Sequence, residues 1–147
     1  RRGFAQVVWP CRFEIMRREP PVVLDSAHNI DSTDRLRQTL EDYFPRRPVI
    51  LIFGSSEDKD VNGMLSALRP CLERVIATKA NHPRAMEPEQ LAEAARRAGL
   101  QAETAVPVEA ALTRALELAR VSGEIVLSAG SMFVTAEVRT AWQKIKA

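Results

Sequence analysis

Short apolar runs alternate with helical patterns along this chain, and this rhythm restricts its fold more than any other feature. Each run is apolar at consecutive positions, which is typical of a strand buried on both faces. Between the runs, apolar residues recur every three or four positions, as in amphipathic helices. The predicted strands cover 22–24, 49–53, 75–77 and 125–127, with a weaker strand at about 101–106.

The order of these elements predicts the architecture. Helical patterns over 36–44, 61–68 and 91–98, and two more ending at 119 and 145, separate the strands. Strands joined by helices of this length need right-handed crossovers, which produce a parallel sheet covered on both faces. A further strand at 12–16 precedes the run at 22–24 by a link too short for a crossover, so this pair should be antiparallel. We therefore predict an α/β, Rossmann-like, mostly parallel sheet of about six strands, with one antiparallel edge strand and helices on both faces.

Size and charge exclude several classes of protein. The 147 residues suit one compact domain over 1–147. The net charge is only +2 and no basic stripe is visible, so we expect no nucleic-acid partner. No apolar run approaches the roughly 20 residues of a membrane helix, and Arg1-Arg2-Gly3 does not open a targeting peptide. Cys11 and Cys71 lack metal-site spacing, which favours free thiols and a cytoplasmic protein without its own metal site.

The turns that follow the strands are the places where ligands should bind. In open parallel sheets, ligands lie at the carboxyl ends of the strands, near helix starts that favour anions. The four turns are 25–29, 54–60, 78–84 and 128–131, and both histidines of the chain fall within them.

Helix capping explains some of the polar residues but not all of them. Asp31 is a good acidic residue for a helix start, and Asp58 or Asp60 can cap the next helix. Asp25 ends a strand several residues before a helix, and His28 has no capping role, so both are candidates for function. Arg12 and Lys59 remain ambiguous between surface charges and ligand contacts. The chain has neither GxxxxGK[ST] nor GxGxxG, so we do not expect it to hydrolyse ATP alone.

Five ordered segments resemble a known family. They are Trp-Pro-Cys-Arg-Phe-Glu at 9–14, Leu-Asp-Ser-Ala-His-Asn at 24–29, Asp-Lys-Asp-Val at 58–61, His-Pro-Arg-Ala at 82–85 and Gly-Ser-Met-Phe-Val at 130–134. Together they resemble the C-terminal domain of folylpolyglutamate synthase/dihydrofolate synthase, within the Mur ligase superfamily. The resemblance implies that 1–147 is the C-terminal, glutamate ligase domain of a larger enzyme whose N-terminal ATPase domain is absent from the sequence.

The resemblance also implies the chemistry and its partners. ATP phosphorylates the carboxylate of a folate or dihydropteroate substrate, and the amine of L-glutamate then displaces phosphate to form an amide. ATP and Mg²⁺ would be bound mainly by the N-terminal domain. Two alternatives remain open, namely another Mur-type amide ligase and a non-catalytic α/β binding module.

The same resemblance assigns roles to individual residues. Arg12 and Asp25 match nucleotide contacts. His28 matches a catalytic histidine beside the reacting centre, a candidate for orienting the incoming glutamate or the acyl phosphate. Three positions depart from the family pattern, since Cys11 and Ser26 replace Gly and Ile30 replaces Pro. A positive φ at 11 or 26 would be strained by a β-carbon. Asn29, Lys59, Arg84 and Ser131 fall on the same predicted edge, and we name them as candidates for further substrate contacts.

Overall fold

A single six-stranded sheet organises the protein. The computed structural model describes residues 10–146. The sheet runs in the order β1-β2-β6-β3-β4-β5, with β1 antiparallel to β2 and the other neighbours parallel. This confirms the predicted Rossmann-like sheet and its antiparallel edge. The strands are β1 (Glu14–Arg18), β2 (Pro21–Leu24), β3 (Val49–Phe53), β4 (Leu72–Ala77), β5 (Gln101–Thr104) and β6 (Ile125–Ala129).

The edge strand begins later than predicted. Arg12 lies in a turn before β1 and not in the strand itself. The flanking residues Cys11 and Phe13 have φ values of 62° and 44°, which an extended strand cannot contain. The prediction of a strand from 12 was therefore wrong at its start, and Arg12 is exposed on a loop.

Helices cover both faces of the sheet, as predicted. The first three pack on one face and the last two on the other. A short 3₁₀ turn, Arg69–Cys71, leads into β4. The helices are α1 (Ile30–Tyr43), α2 (Val61–Leu68), α3 (Pro88–Arg97), α4 (Val108–Ser122) and α5 (Met132–Lys146).

The core forms two layers because successive residues of the central strands point to opposite faces. Leu51 and Phe53 pack towards α1, α2 and α3, whereas Ile50 and Ile52 pack towards α4 and α5. All five residues of β3 are fully buried, which explains its uninterrupted apolar run. No helix within 10–146 combines the length and the hydropathy that crossing a bilayer would require.

Two aromatic residues near helix ends have different surroundings. Trp142 is 5% exposed and packs in the core under Arg17. Tyr43 belongs to the helical pattern over 36–44, but it is 59% exposed and packs against Phe13 with ring centroids 5.0 Å apart. It is the last residue of α1. Trp9, the first residue of the segment at 9–14, lies outside the described residues.

Candidate functional site

Two cavities lie at the carboxyl edge of the sheet and meet at His28. We call the first the Arg12 groove, with a volume of about 500 Å³, and the second the Lys59 cavity, with a volume of about 280 Å³. Within 10–146, only His28 lines both. Asp25 and Asn29 line the Arg12 groove, whereas Asp58, His82, Arg84, Ser131 and Phe133 line the Lys59 cavity.

A larger groove lies at the opposite edge of the sheet. Its volume is about 590 Å³, and Phe44, Arg46 and Leu72 are among its lining residues. It contains no histidine and none of the candidate site residues named from the sequence. Since ligands of parallel sheets bind at the carboxyl ends of strands, we take the smaller cavities as the site.

Asp25 holds together the two loops of the Arg12 groove. One carboxylate oxygen accepts the backbone N–H of Phe13 at 2.8 Å, and the other accepts the N–H of Ala27 at 2.8 Å. Burial raises the pKa of Asp25 above its ordinary value, although these two N–H groups and the nearby Arg12 partly oppose the rise. The side chain therefore has a structural role that the sequence did not reveal, and a direct nucleotide contact remains a prediction.

A partly buried ion pair supports the loop that carries Arg12. Both oxygens of Glu14, in β1, accept hydrogen bonds from the guanidinium of Arg139, in α5, at 3.0 and 3.2 Å. Glu14 also accepts the N–H of Cys11 at 3.0 Å. Burial alone would raise the pKa of Glu14, but the hydrogen bonds from Arg139 and Cys11 outweigh it and hold the pKa below its ordinary value. The loop is thus fixed on one side by Asp25 and on the other by Glu14.

The position of His28 defines which ring nitrogen is available to a ligand. Its Nδ1 lies 3.0 Å from the carbonyl oxygen of Ser26. Because a carbonyl can only accept, Nδ1 must carry a hydrogen. In the neutral ring, Nε2 is then an acceptor, and no group within 10–146 donates a hydrogen bond to it.

Two of the polar residues cap helices. Asn29 is the N-cap of α1, and its Oδ1 accepts the N–H of Ser32 at 2.8 Å in a capping box. Asp60 caps α2 by accepting the N–H of Gly63 at 2.9 Å, as the sequence allowed. The cap of α1 is therefore Asn29, while Asp31 lies in the first turn. A substrate contact by Asn29 remains a prediction.

The Lys59 cavity is mainly cationic. Lys59 and Arg84 both line it, and each lies within 4 Å of Asp58, at 3.9 and 3.7 Å. Ser56 and these cations lower the pKa of Asp58, so it stays ionised and offsets one of the two positive charges. The remaining positive charge and the surrounding donors suit a carboxylate or a phosphate.

Ser131 and Gly130 shape the far wall of the Lys59 cavity. The Ser131 hydroxyl accepts the N–H groups of Phe133 and Val134 at 3.1 and 3.3 Å, so its own hydrogen remains available to a ligand. Gly130 has φ 103°, and a β-carbon there would lie 2.5 Å from the carbonyl oxygen of Gly54. Only glycine fits this turn, and its small size lets the start of α5 approach the end of β3.

The described residues do not fit a resident metal ion. Within 10–146, no three His, Cys, Asp or Glu side chains are grouped so that they could hold one. Asp25 is engaged by backbone N–H groups and Asp58 by cations, so neither carboxylate is free for a metal.

The structure places all seven candidate residues from the sequence along one edge of the sheet. Arg12, Asp25, Asn29 and His28 share one cavity, and Lys59, Arg84 and Ser131 share the other with His28. The residues of the Lys59 cavity that sequence reasoning did not select include Ser56, Asp58, His82, Met132 and Phe133. Their positions in the strand-end turns and at the following helix start were the available signal.

Fold and site together define a mostly parallel α/β domain. It has two ligand-sized cavities at one edge of its sheet, and one of them is mainly cationic. The chain belongs to the Mur ligase family: the model for "Mur ligase, glutamate ligase domain" matches residues 11–132. This finding confirms the resemblance drawn from the sequence.

The relatives that the chain resembles include proteins named as folylpolyglutamate synthases. A Haloferax volcanii protein described as a "Probable bifunctional folylpolyglutamate synthase/dihydropteroate synthase" is 40% identical over 97% of this chain and 17% of its own length. The folylpolyglutamate synthase of Mycobacterium tuberculosis, solved with ADP and AMPPCP, superposes with a TM-score of 0.86 at 34% identity over 94% of this chain and 33% of that one.

A second solved structure adds a metal to the comparison. The bifunctional folylpolyglutamate synthase/dihydrofolate synthase of Yersinia pestis, complexed with AMPPNP and a Mn ion, has a TM-score of 0.86 and 27% identity, over 97% of this chain and 33% of that one. The chain thus spans about a third of each solved protein and less than a fifth of the curated relative. The similar region corresponds to one part of a longer polypeptide.

Proposed function

We propose that this chain is the C-terminal domain of an ATP-dependent ligase that joins L-glutamate to a folate or dihydropteroate carboxylate. An N-terminal ATPase domain outside these 147 residues would supply the phosphate loop and hold Mg²⁺. The observation that carries the proposal is the junction at His28 of two cavities of unequal size. Nucleotide complexes of the solved relatives support the use of ATP. Because the reaction consumes ATP, we also propose that the enzyme is cytoplasmic.

The two cavities suit two different substrates. The larger Arg12 groove offers a guanidinium that can grip phosphate oxygens or lie beside a ribose. The Lys59 cavity, with two cations and the free hydroxyl of Ser131, suits the carboxylates of glutamate. A ligand in each cavity would approach the other beside His28.

The chemistry requires an acyl phosphate and a neutral amine. The γ-phosphoryl group of ATP is transferred to the pterin carboxylate, which releases ADP and leaves an activated acyl carbon. The glutamate ammonium must lose a proton before its nitrogen can attack, and the attack then expels phosphate. Nε2 of His28 is the acceptor that the geometry offers for that proton, because Nδ1 is engaged by the carbonyl of Ser26. Closure against the N-terminal domain would exclude water from the acyl phosphate.

The first test measures ADP release by the full-length polypeptide that contains this chain. We expect turnover that depends on both L-glutamate and a folate or dihydropteroate acceptor, and no turnover by the 147 residues alone. ATP-dependent addition of glutamate by the isolated chain would disprove the proposal that catalysis requires an N-terminal ATPase domain. Turnover with a different acceptor or amino acid would favour another Mur-type ligase, and no turnover at all would favour a binding module.

A substitution at His28 tests the proton acceptor. His28→Asn keeps an N–H where Nδ1 donates to Ser26 but removes the acceptor at Nε2. We expect kcat to fall about 100-fold, the scale of a lost general base, with the KM for ATP unchanged. His28→Gln restores an acceptor without a usable base, so recovery of kcat in this variant would mean that His28 only orients the substrate.

A further inference from the structure

His82 is held rigidly in the wall of the Lys59 cavity. The loop that carries it is joined to the loop after β3 by backbone hydrogen bonds from Glu57 to Arg84 at 3.1 Å and from Met86 to Ser55 at 2.8 Å. The neighbouring Asn81 N–H donates to Glu137, in α5, at 2.9 Å. The backbone around the histidine is therefore tied to two other elements.

The ring of His82 is fixed by two contacts. It stacks on Phe133 with centroids 4.2 Å apart and an interplanar angle of 28°. Its Nδ1 accepts the backbone N–H of Arg84 at 3.2 Å. Phe133 is 52% exposed and supplies the surface on which the ring of His82 packs.

These contacts give the neutral rings of the two histidines opposite tautomers. Because Nδ1 of His82 accepts a hydrogen bond, the hydrogen of the neutral ring must be on Nε2. His28 has the reverse arrangement, with Nδ1 as the donor and Nε2 as the acceptor. Within 10–146, no acceptor engages Nε2–H of His82, so this donor is available to a ligand in the cavity.

We infer that His82 is a substrate-recognition residue that donates a hydrogen bond from Nε2 to a carboxylate of the incoming amino acid. This inference rests on the proposed function, and it gives the Lys59 cavity a third group for holding that carboxylate. Lys59 and Arg84 attract the charge, while the stacked ring provides a donor of fixed direction. The cavity of about 280 Å³ lies just below the range of clefts that hold drug-sized ligands, which suits a single amino acid.

Two amide substitutions separate recognition from a structural role. In His82→Asn, the side-chain oxygen can still accept the Arg84 N–H, but the donor at Nε2 is lost. In His82→Gln, the side-chain amide reaches the Nε2 position and can donate, but the acceptor at Nδ1 is lost. The two variants therefore remove one function each from the same side chain.

The experiment compares steady-state kinetics of both variants in the full-length enzyme with L-glutamate, ATP and folate. We expect His82→Asn to raise the KM for glutamate at least about tenfold, the scale of a lost hydrogen bond to a charged group, with kcat and the KM for ATP within about twofold of wild type. His82→Gln should keep the KM for glutamate within about threefold.

Several outcomes would overturn the inference. A wild-type KM for glutamate in His82→Asn would show that Nε2 contacts no substrate. An effect of His82→Gln larger than that of His82→Asn, accompanied by a lower Tm, would assign the ring to the loop alone. Absence of glutamate-dependent turnover in the unsubstituted enzyme would instead reject the proposed function, and the inference with it.

Discussion

At the scale of single residues, Asp25 has a structural role and is also a candidate ligand contact. The sequence draws attention to it because it ends a strand several residues before any helix that it could cap. In the structure both of its oxygens accept backbone N–H groups, which explains its presence without a ligand. A sequence shows the type of a side chain but not the partners that reach it from residues far away in the chain. The Phe13 N–H comes from twelve residues earlier and was not foreseeable.

The two departures from glycine can now be distinguished. Cys11 has φ 62°, in the left-handed region, whereas Ser26 is not among the described residues with positive φ. The sequence raised the same concern for both positions because it contains no backbone angles. Only Cys11 carries the strain that a β-carbon causes there.

This difference predicts opposite responses to the same pair of substitutions. At position 11, Cys11→Gly should be more stable than Cys11→Ala by about 1 kcal/mol, because both remove the thiol and only glycine is unstrained. At position 26, Ser26→Ala should be at least as stable as Ser26→Gly, since glycine there only adds entropy to the unfolded chain. Urea denaturation of the four variants measures both differences. Equal stabilities at position 11 would contradict the strain.

At the scale of whole elements, hydrophobic periodicity predicted the parallel sheet but not the residue at which β1 begins. The buried run of β3 is apolar at every position, and no other arrangement of short strands and long helices would bury it on both faces. The segment at 12–13 has strand-forming residues nearby, but tertiary hydrogen bonds to Asp25 and Glu14 hold it as a turn. Tertiary contacts override local propensity at the point where the loop must present Arg12.

The ion pair between β1 and α5 predicts a stability that depends on pH. The pKa of Glu14 is lowered in the folded protein, so its contribution is complete above the unfolded-state pKa of about 4.3. The contribution is lost as the pH falls through the lower pKa of the folded state, because the unfolded state then binds the proton first. Glu14→Gln should therefore lower the free energy of unfolding by about 1–3 kcal/mol at pH 7. The difference from wild type should shrink below about pH 4.

A matched control separates this pair from general charge effects. Glu117 is exposed on α4, and Glu117→Gln should change the free energy of unfolding by less than about 0.5 kcal/mol at any pH. Urea titrations at pH 7 and about pH 3.5 measure both variants. If Glu14→Gln and Glu117→Gln behave alike, the ion pair does not join β1 to α5 in the way described.

At the scale of the whole molecule, the sheet places two sets of residues on one edge but in separate cavities. Strand ends alone predicted the shared edge, since the carboxyl ends of parallel strands are aligned. They did not predict that the edge is divided into two cavities. This division depends on the loop after β4, which is hydrogen-bonded to the loop after β3 and to Glu137 in α5. His82 belongs to that joined wall. It was therefore visible in the sequence as part of an edge, but not as a ring fixed against Phe133.

The division into two cavities predicts how substitutions combine in the full-length enzyme. Arg12 and Lys59 line different cavities, and only His28, among residues 10–146, lines both. Arg12→Ala should raise the KM for ATP, and Lys59→Ala the KM for glutamate, each by about tenfold through the loss of a charged contact. Because they line different cavities, their effects on kcat/KM, expressed as free energies, should add to within about 0.5 kcal/mol.

Combination with His28→Asn should behave differently. His28 touches both cavities, so pairing its substitution with either Arg12→Ala or Lys59→Ala should depart from additivity by about 0.5–3 kcal/mol. Steady-state kinetics, with ATP and glutamate varied in turn, measure the double-mutant cycles of all three pairs. Strong coupling between Arg12 and Lys59, together with additive behaviour of His28, would mean that the ligands do not meet at the histidine. The reaction centre would then have to lie elsewhere on the edge.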